Sequence, residues 1–347
     1  MTNPFSLNFG LEPGQYVSRS FQSNEIIDSF KADPSPSQVF MICGVRGAGK
    51  TVLLSEIEDK FRADNDWLVF DLSIETDLLN SFAAKLYNEK RMRNLFIKAN
   101  LNLTHFGFGV EIKNETPSIT DLGTAIEEML DIVCAKKKKI LITIDEAANS
   151  VYMRQFASEF QILLRQKYPV YLLMTGLYEN IYELQNVKTL TFLYRAPKIS
   201  LAPLNAVAVA ESYRKVFDIS EEKSREMAAL TKGYPYAYQL TGYLCWNRGS
   251  CDLNDDFLRT FDEYMEEYVY AKIWEEQAPN KKKILSAMAY TDSGMVTEIR
   301  EKAGMTTETF SVYRSRLIRQ GIIRADGYGK LAFTLPRFEN FIRNQMY

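Results

Sequence analysis

Short continuous runs of apolar residues alternate with longer amphipathic stretches in the first two thirds of the chain. The runs are VFMIC (39–43), WLVFDL (67–72), KILITIDE (139–146), VYLLMTG (170–176) and, more weakly, KISLAPL (198–204). Such runs are typical of strands that are covered on both faces. Amphipathic stretches between them predict helices over 51–61, 77–90 and 120–134. This alternation predicts an α/β fold with a parallel sheet and helices on both faces.

One segment departs from this alternation. LNLTHFGFGVEI (101–112) alternates apolar and polar residues at period two and contains two glycines. The pattern predicts a small hairpin or an extra strand inserted before the helix at 120–134. His105, the one histidine of the chain, then becomes a strand residue with no second histidine to share a metal.

The pattern becomes helical after Leu204. Four helices are predicted, over 205–217, 220–232, 234–248 and 254–276. A boundary at QAPNKKK (277–283) precedes three further helices, the last ending on Gly321, and two short strands in IIRADGYGKLAFTL. Three helices followed by a hairpin predict a winged helix-turn-helix. We therefore expect an α/β core over 1–204, a small α-helical lid domain over 205–278 and a winged-helix domain over 279–347.

The charge of the chain is unevenly distributed. The 347 residues carry a net charge of −2, but residues 279–347 contain 12 Lys and Arg against 6 Asp and Glu. A basic end on an acidic body predicts a module that binds a polyanion. No run of 18 apolar residues and no signal-peptide pattern occurs, so we expect a cytoplasmic protein that does not enter a membrane. The four cysteines are far apart in sequence and form no C-x-x-C pair, which argues against zinc and against a disulfide framework.

The segment GVRGAGKT (44–51) follows the first apolar run and fits the G-x-x-x-x-G-K-[ST] phosphate-loop pattern. Its glycines allow the backbone N–H groups to surround phosphates at the start of a helix. Lys50 is expected to reach the outer phosphates and Thr51 to ligate Mg²⁺. The predicted nucleotide-binding residues are Gly44, Val45, Arg46, Gly47, Ala48, Gly49, Lys50, Thr51 and Val52. The pattern gives Arg46 no role of its own.

A second motif, the acidic ILITIDEAA, contains the expected partner of this loop. Asp145 ends an apolar strand, where an aspartate holds Mg²⁺ in phosphate-loop proteins. Glu146 follows it and is placed to polarise an attacking water, which favours a hydrolysing ATPase over a kinase that transfers to a bound acceptor. The alternative is that the pair is an ordinary acidic helix cap after a strand.

With these two motifs the sequence resembles the AAA+ class of P-loop ATPases. It is most similar to bacterial and archaeal members that join the core to a C-terminal winged helix, near the origin-recognition proteins and the STAND switch ATPases. The resemblance implies ATP and Mg²⁺ as cofactors, Thr175 as the sensor-1 residue and Arg195 as an arginine finger acting on a neighbouring subunit. A homo-oligomer with nucleotide at the subunit interface is therefore expected.

The resemblance also covers KGYPYAYQL (232–240), which matches the G-x-P motif at the start of the lid helix in the STAND branch. Origin-type proteins have a sensor-2 arginine near this place. Here the neighbouring positions hold Tyr234 and Tyr236. This departure favours a slow nucleotide switch over strong sensor-2 coupling.

The last predicted helix and hairpin contain the candidate DNA contacts. Phe310, Tyr313, Leu317 and Ile318 have helical spacing and are expected to face the core. The residues expected to face DNA are Thr307, Ser311, Arg314, Arg316, Arg324 and Lys330, with Tyr328 in the wing. Winged helices also bind proteins, so that alternative stays open.

Two functions follow from these patterns. The first is an AAA+ ATPase that couples its nucleotide state to binding of duplex DNA. The second is a STAND-like regulatory switch that turns ATP over slowly and uses its winged helix to contact protein. A small-molecule kinase is disfavoured, because no acceptor-site pattern is present and Glu146 is.

Overall fold

The computed structural model describes residues 2–8, 13–99, 101–108 and 119–345. These residues form two compact units. The sheet unit comprises Arg19–Cys43 and Lys50–Ser200. The C-terminal unit comprises residues 1–18, Gly44–Gly49 and the chain from Leu201 onward. The segment Gly44–Gly49 of the predicted phosphate loop thus belongs by its contacts to the C-terminal unit.

A parallel five-stranded sheet organises the sheet unit, as predicted. Its strands are β1 (Val39–Cys43), β2 (Trp67–Leu72), β3 (Lys139–Ile144), β4 (Val170–Gly176) and β5 (Lys198–Ser200). Their order in the sheet is β2-β3-β4-β1-β5, and every pair is parallel. All residues of β1 and β4 are buried, which explains their continuous apolar runs. The third and fifth strands were predicted too long. β3 ends at Ile144 and not at 146, and β5 ends at Ser200 and not at 204.

Eight helices of the sheet unit are described. They are α1 (Ser20–Lys31), α2 (Lys50–Arg62), α3 (Leu78–Tyr87), α4 (Arg93–Lys98), α5 (Leu122–Ala135), α6 (Val151–Arg165), α7 (Tyr178–Gln185) and α8 (Thr191–Arg195). Side-chain caps fix several of their starts. The carboxylate of Asp77 accepts hydrogen bonds from two N–H groups of α3, and that of Asp121 accepts one from Thr124 of α5.

The strand predicted over 101–112 is wrong in the part that the structure describes. Residues 101–108 contain a single 3₁₀ turn, Thr104–Phe106, that includes His105. Leu101 and Leu103 are buried in the core, which accounts for the alternating pattern. Gly107 then turns the chain with a left-handed φ of 76°. Residues 109–112 lie outside the described residues.

The C-terminal unit begins with a helical bundle. Its helices are α9 (Ala206–Phe217), α10 (Glu221–Thr231), α11 (Pro235–Arg248), α12 (Asp255–Met265) and α13 (Ala271–Glu275). The single helix predicted over 254–276 is interrupted by a π turn at Glu266–Tyr270. The four cysteines are free.

The C-terminal region follows as α14 (Pro279–Ala289), α15 (Val296–Lys302), α16 (Thr307–Gln320) and an antiparallel hairpin of β6 (Ile323–Ala325) and β7 (Leu331–Phe333). This is the order of elements predicted for a winged helix. A further helix, α17 (Phe338–Asn344), was not predicted. Phe310 and Leu317 are buried and Tyr313 packs against the core, but Ile318 is 36% exposed and does not face the core as expected. The face of α16 that packs against the core therefore includes fewer apolar residues than their spacing predicted.

Candidate functional site

Asp145 and Thr175 lie side by side at the carboxyl edge of the sheet. The pairing of β3 with β4 sets Ile144 opposite Met174, so the next residue of each strand reaches the same edge. The buried hydroxyl of Thr175 donates to Oδ1 of Asp145. Thr51, in the first turn of α2, donates its hydroxyl to Oδ2 of Asp145 at 2.7 Å. The structure therefore brings together three of the residues predicted for metal binding and catalysis.

Glu146 stands in a tight turn directly after this carboxylate. Its backbone is left-handed, with φ of 54°, a conformation that non-glycine residues seldom adopt. The N–H of Glu146 lies 3.0 Å from Oδ1 of Asp145 and 3.3 Å from the hydroxyl of Thr175. The N–H of Ala147 donates to the carbonyl of Thr175 at 2.7 Å, which fixes the turn against β4. The side chain of Glu146 is exposed.

The phosphate-loop pattern connects β1 to α2, as expected. Gly47 and Gly49 have positive φ values of 74° and 82°, which explains why glycine occupies both positions. Lys50 is the first residue of α2. Cys43 ends β1, where burial raises the pKa of its thiol to about 11 in spite of nearby Lys198 and Lys50. This thiol therefore stays neutral beside the loop.

Two side chains that contact the loop come from the C-terminal unit. The Tyr234 hydroxyl donates to the main-chain oxygen of Arg46, and the guanidinium of Arg46 pairs with Glu276 at 3.0 Å. The sequence marks Tyr234 only as a tyrosine near the place of a sensor-2 arginine and does not predict this contact. No local pattern indicates Glu276, which lies 230 residues from its partner.

Arg195, the predicted arginine finger, is the last residue of α8. Its side chain is exposed, next to Tyr194, which is 69% exposed. Within the described part of the chain, Arg195 makes no ion pair or hydrogen bond with Asp145, Glu146 or Thr175. The structure does not bring it into the cluster.

The predicted DNA-contacting residues differ in the exposure of their side chains. Arg316, Arg324 and Lys330 are exposed, and Tyr328 at the tip of the hairpin is fully exposed. Arg324 pairs with Asp326 at 3.2 Å.

The remaining candidates on α16 differ in exposure. Thr307 is exposed and accepts a hydrogen bond of 2.6 Å from Arg300. Ser311 is half-buried, as is Arg314, whose Nε is buried without a hydrogen-bond partner among the described residues. Arg316, Arg324 and Lys330 are therefore the exposed cations among the predicted contacts.

Comparison with known proteins shows that the chain has a known fold. Residues 267–342 match a family model described as a domain of unknown function. No curated protein matches the sequence. Among solved structures, the Walker-type ATPase of Pyrococcus abyssi is 14% identical, covers 94% of this chain and 96% of its own, and has a TM-score of 0.62. The Aeropyrum pernix ORC2 protein, in its ADPNP–ADP complexes, is 12% identical over 98% of this chain and 97% of its own, with a TM-score of 0.53.

The chain therefore has the same fold as these two proteins. Both similarities extend over nearly the full length of the chain, so the fold includes the C-terminal helical region as well as the sheet. Within this fold, Thr51, Asp145 and Thr175 form one hydrogen-bonded cluster.

The donor set of the cluster fits a hard cation. Mg²⁺ prefers oxygen ligands and is commonly held by one or two carboxylates together with water and substrate phosphates. The Thr51 hydroxyl and the Asp145 carboxylate supply such oxygens 2.7 Å apart. Among the described residues there is no group of three or more His, Cys, Asp or Glu that would hold a metal by protein ligands alone. Nor does the described part of the chain contain a helix long and apolar enough to cross a membrane.

Proposed function

We propose that the protein binds ATP with Mg²⁺ and hydrolyses it. The observation that carries this proposal is the carboxylate of Asp145, which accepts hydrogen bonds from Thr51, Thr175 and the N–H of Glu146. A carboxylate held from three sides keeps its oxygens in one orientation, as metal binding requires. The phosphate-loop pattern next to Thr51 identifies the ligand class as a nucleoside triphosphate.

Each residue has a distinct role in this proposal. The N–H groups of the loop and the Lys50 ammonium hold the phosphates. Thr51 and Asp145 hold Mg²⁺, which when bound neutralises charge on the phosphate oxygens. Glu146 accepts a proton from the attacking water, and the hydroxyl of Thr175 orients Asp145 and the turn that carries Glu146. Hydrolysis is expected to be slow, because tyrosines stand near the place of a sensor-2 arginine.

Nucleotide state is proposed to control binding of duplex DNA by the C-terminal region. The exposed cations Arg316, Arg324 and Lys330, within a region of net charge +6, support a contact with phosphates. Arg195 is proposed to act across a subunit interface in a homo-oligomer, which its exposure permits.

A second candidate is a STAND-like switch whose C-terminal region contacts protein. Two exposed apolar residues on α16 favour it: Val312 is 49% exposed and Ile318 36%. Apolar side chains on an outer helix face suit a protein partner better than a phosphate backbone.

Two substitutions test the ATPase proposal. We expect Lys50→Ala to weaken ATP binding at least tenfold, because it removes a charge from the phosphates. Glu146→Gln should keep the ATP dissociation constant within about twofold and lower kcat roughly 100-fold, because it removes the base. Binding is measured by calorimetry and hydrolysis by phosphate release.

Lys60→Ala is the control for Lys50→Ala, since Lys60 is an exposed lysine of the same helix that pairs with Glu56. It should leave both measurements unchanged. A Glu146→Gln variant that hydrolysed ATP at the wild-type rate would show that Glu146 is not the base.

A further inference from the structure

The phosphate loop is in contact with the start of α11. The hydroxyl of Tyr234 donates a hydrogen bond to the main-chain oxygen of Arg46. Tyr234 is only 4% exposed, and burial raises the pKa of its hydroxyl, which therefore stays a proton donor. Both partners belong to the C-terminal unit.

The G-Y-P sequence fixes the position of this tyrosine. Gly233 has a φ of 71°, and its carbonyl accepts a 2.7 Å hydrogen bond from the N–H of Leu204. Tyr234 is the N-cap of α11, and Pro235 is its first helical residue, where proline has a suitable φ and needs no hydrogen-bond partner. The backbone on both sides of Tyr234 is thus constrained, and its hydroxyl has little freedom to leave the loop.

This hydrogen bond determines the direction of a neighbouring N–H group. A trans peptide is planar, and its C=O and N–H point in opposite directions. The Arg46 carbonyl points at Tyr234, so the N–H of Gly47 points away from Tyr234. A hydrogen bond accepted by the carbonyl also polarises the peptide unit and strengthens its N–H as a donor. The result is one loop N–H that is oriented and strengthened before any phosphate arrives.

Gly47 leaves the space that this contact needs. A Cβ atom added at Gly47 would lie 2.2 Å from the Tyr234 hydroxyl and 3.2 Å from Cβ of Tyr236. The position therefore requires glycine for two reasons, its φ of 74° and the close approach of Tyr234. The loop and the G-Y-P motif fit each other only with these two residue types in place.

Two further contacts hold the same side of the loop. The Arg46 guanidinium pairs with Glu276 at 3.0 Å, and both side chains are about one third exposed. The side chain of Val45 packs against the core of the C-terminal unit, and a Cβ added at Gly321, directly after α16, would lie 3.5 Å from it. The peptide between Arg46 and Gly47 is thus bordered by anchored side chains.

We propose that Tyr234 is a positioning residue of the phosphate loop: its hydroxyl orients the Arg46–Gly47 peptide so that the Gly47 N–H faces the bound phosphates, and Glu276 supports it by holding Arg46. This inference rests on the proposed nucleotide binding. It gives Arg46 its role, which is to anchor the loop through its side chain and to accept the Tyr234 hydrogen bond through its carbonyl.

The test compares ADP binding by the full chain and by Tyr234→Phe, which removes the hydroxyl and keeps the ring. One oriented hydrogen bond of ordinary strength corresponds to a loss of about three- to tenfold in ADP affinity. The control is Tyr213→Phe, because the fully buried Tyr213 also donates to a main-chain oxygen, that of Tyr238 at 2.7 Å, but away from the loop. Calorimetry gives the dissociation constant and thermal unfolding gives the stability of each variant.

The expected result is weaker ADP binding by Tyr234→Phe alone, with both variants losing similar stability. If Tyr234→Phe binds ADP as the wild type does, or if both variants lose affinity in proportion to stability, Tyr234 has only a structural role and the inference is wrong. If the wild-type protein itself binds neither ATP nor ADP, the proposed function fails at its first step.

Glu276→Gln provides a variant that is not expected to endanger folding, since the ion pair is partly exposed. We expect a two- to threefold loss of ADP affinity, as for a partly exposed ion pair. In Tyr234→Phe the same change should have a different effect, because both residues act on one peptide. Equal effects of Glu276→Gln in the two backgrounds would contradict the supporting role of Glu276.

Discussion

Asp145 illustrates how a single carboxylate is prepared by its neighbours. Its two oxygens accept from hydroxyls on two different elements, Thr51 of α2 and Thr175 of β4, and the N–H of Glu146 adds a third donor. A displacement of Thr175 would therefore move the Asp145 carboxylate and the turn at Glu146 together. The proposed base and metal ligand are coupled through one hydroxyl.

Thr175→Val tests this coupling, because it removes the hydroxyl and keeps the shape of the side chain. We expect kcat for ATP hydrolysis to fall about tenfold or more, since Asp145 and Glu146 lose their common donor. The dissociation constant for ADP should change by less than about twofold. The measurements are steady-state phosphate release and calorimetry.

Thr143→Val is the matched control. Thr143 is a buried threonine of β3 whose hydroxyl donates to Glu58 and not to Asp145. It should leave kcat near the wild-type value. Equal losses of kcat in the two variants would mean that Thr175 supports the sheet and not the catalytic carboxylate.

Asp145 was predicted from its place at the end of an apolar strand, and Thr175 from the resemblance to AAA+ ATPases. The parallel pairing of β3 with β4 brings the two residues to one edge of the sheet. Arg46 was different. Its partners Tyr234 and Glu276 are 188 and 230 residues away, and no periodicity or spacing rule relates such positions. Contacts of this kind depend on how complete elements pack, so they became visible only in the structure.

At the scale of elements, the turn before α11, which precedes the contact of Tyr234 with the loop, depends on Gly233. A Cβ added at Gly233 would lie 2.5 Å from the carbonyl oxygen of Leu204 and 3.0 Å from its nitrogen. These are main-chain atoms, which cannot move aside as a flexible side chain can. The turn thus depends on glycine for space as well as for its positive φ.

Gly233→Ala and Gly249→Ala separate these two requirements. Both glycines have left-handed φ values, 71° and 62°, but a Cβ at Gly249 would meet nothing within 4 Å. We expect Gly249→Ala to lower the free energy of unfolding by about 1 kcal/mol, through φ alone. Gly233→Ala should lower it by about 3 kcal/mol, because overpacking adds to the same φ effect. Urea unfolding measures both, and equal losses would rule out the steric contribution at Gly233.

Elements with a strong local pattern were predicted well and others were not. The buried strands were read from their apolar runs, whereas the alternation at 101–108 came from the burial of Leu101 and Leu103 in a turn. Helix α17 was missed because it is short and two of its three apolar residues are aromatic: Phe338 and Phe341 pack against Tyr270. Its stability comes from that packing, which a local pattern does not contain.

At the scale of the whole molecule, positive charge is concentrated at the C-terminal end of an otherwise acidic chain. The region from Pro279 onward has a net charge of +6 within a total of −2. Its exposed cations include Arg316, Arg324 and Lys330. This uneven distribution suits one polyanion contact and disfavours nonspecific attraction over the rest of the surface.

The proposed DNA contact predicts a steep dependence on salt. Replacing Arg324 and Lys330 together with alanine should reduce the slope of log K against log salt concentration by about 2, since each lost phosphate contact removes about 0.9. Fluorescence anisotropy with a labelled duplex measures the slope. The control is Lys90→Ala with Lys136→Ala, two exposed lysines of the sheet unit, which should leave the slope unchanged. Wild-type protein that binds no duplex at low salt would favour the protein-binding alternative.

The long separation between Arg46 and its partners has a consequence for how the protein is made. Tyr234 is translated 188 residues after Arg46. At about 5 to 20 residues per second the loop waits roughly 10 to 40 s for that side chain. During this interval the strands that flank the loop in sequence are already synthesised, while the peptide between Arg46 and Gly47 has no hydroxyl to orient it. If Tyr234 positions the loop as proposed, a nascent chain acquires full affinity for nucleotide only late in its synthesis.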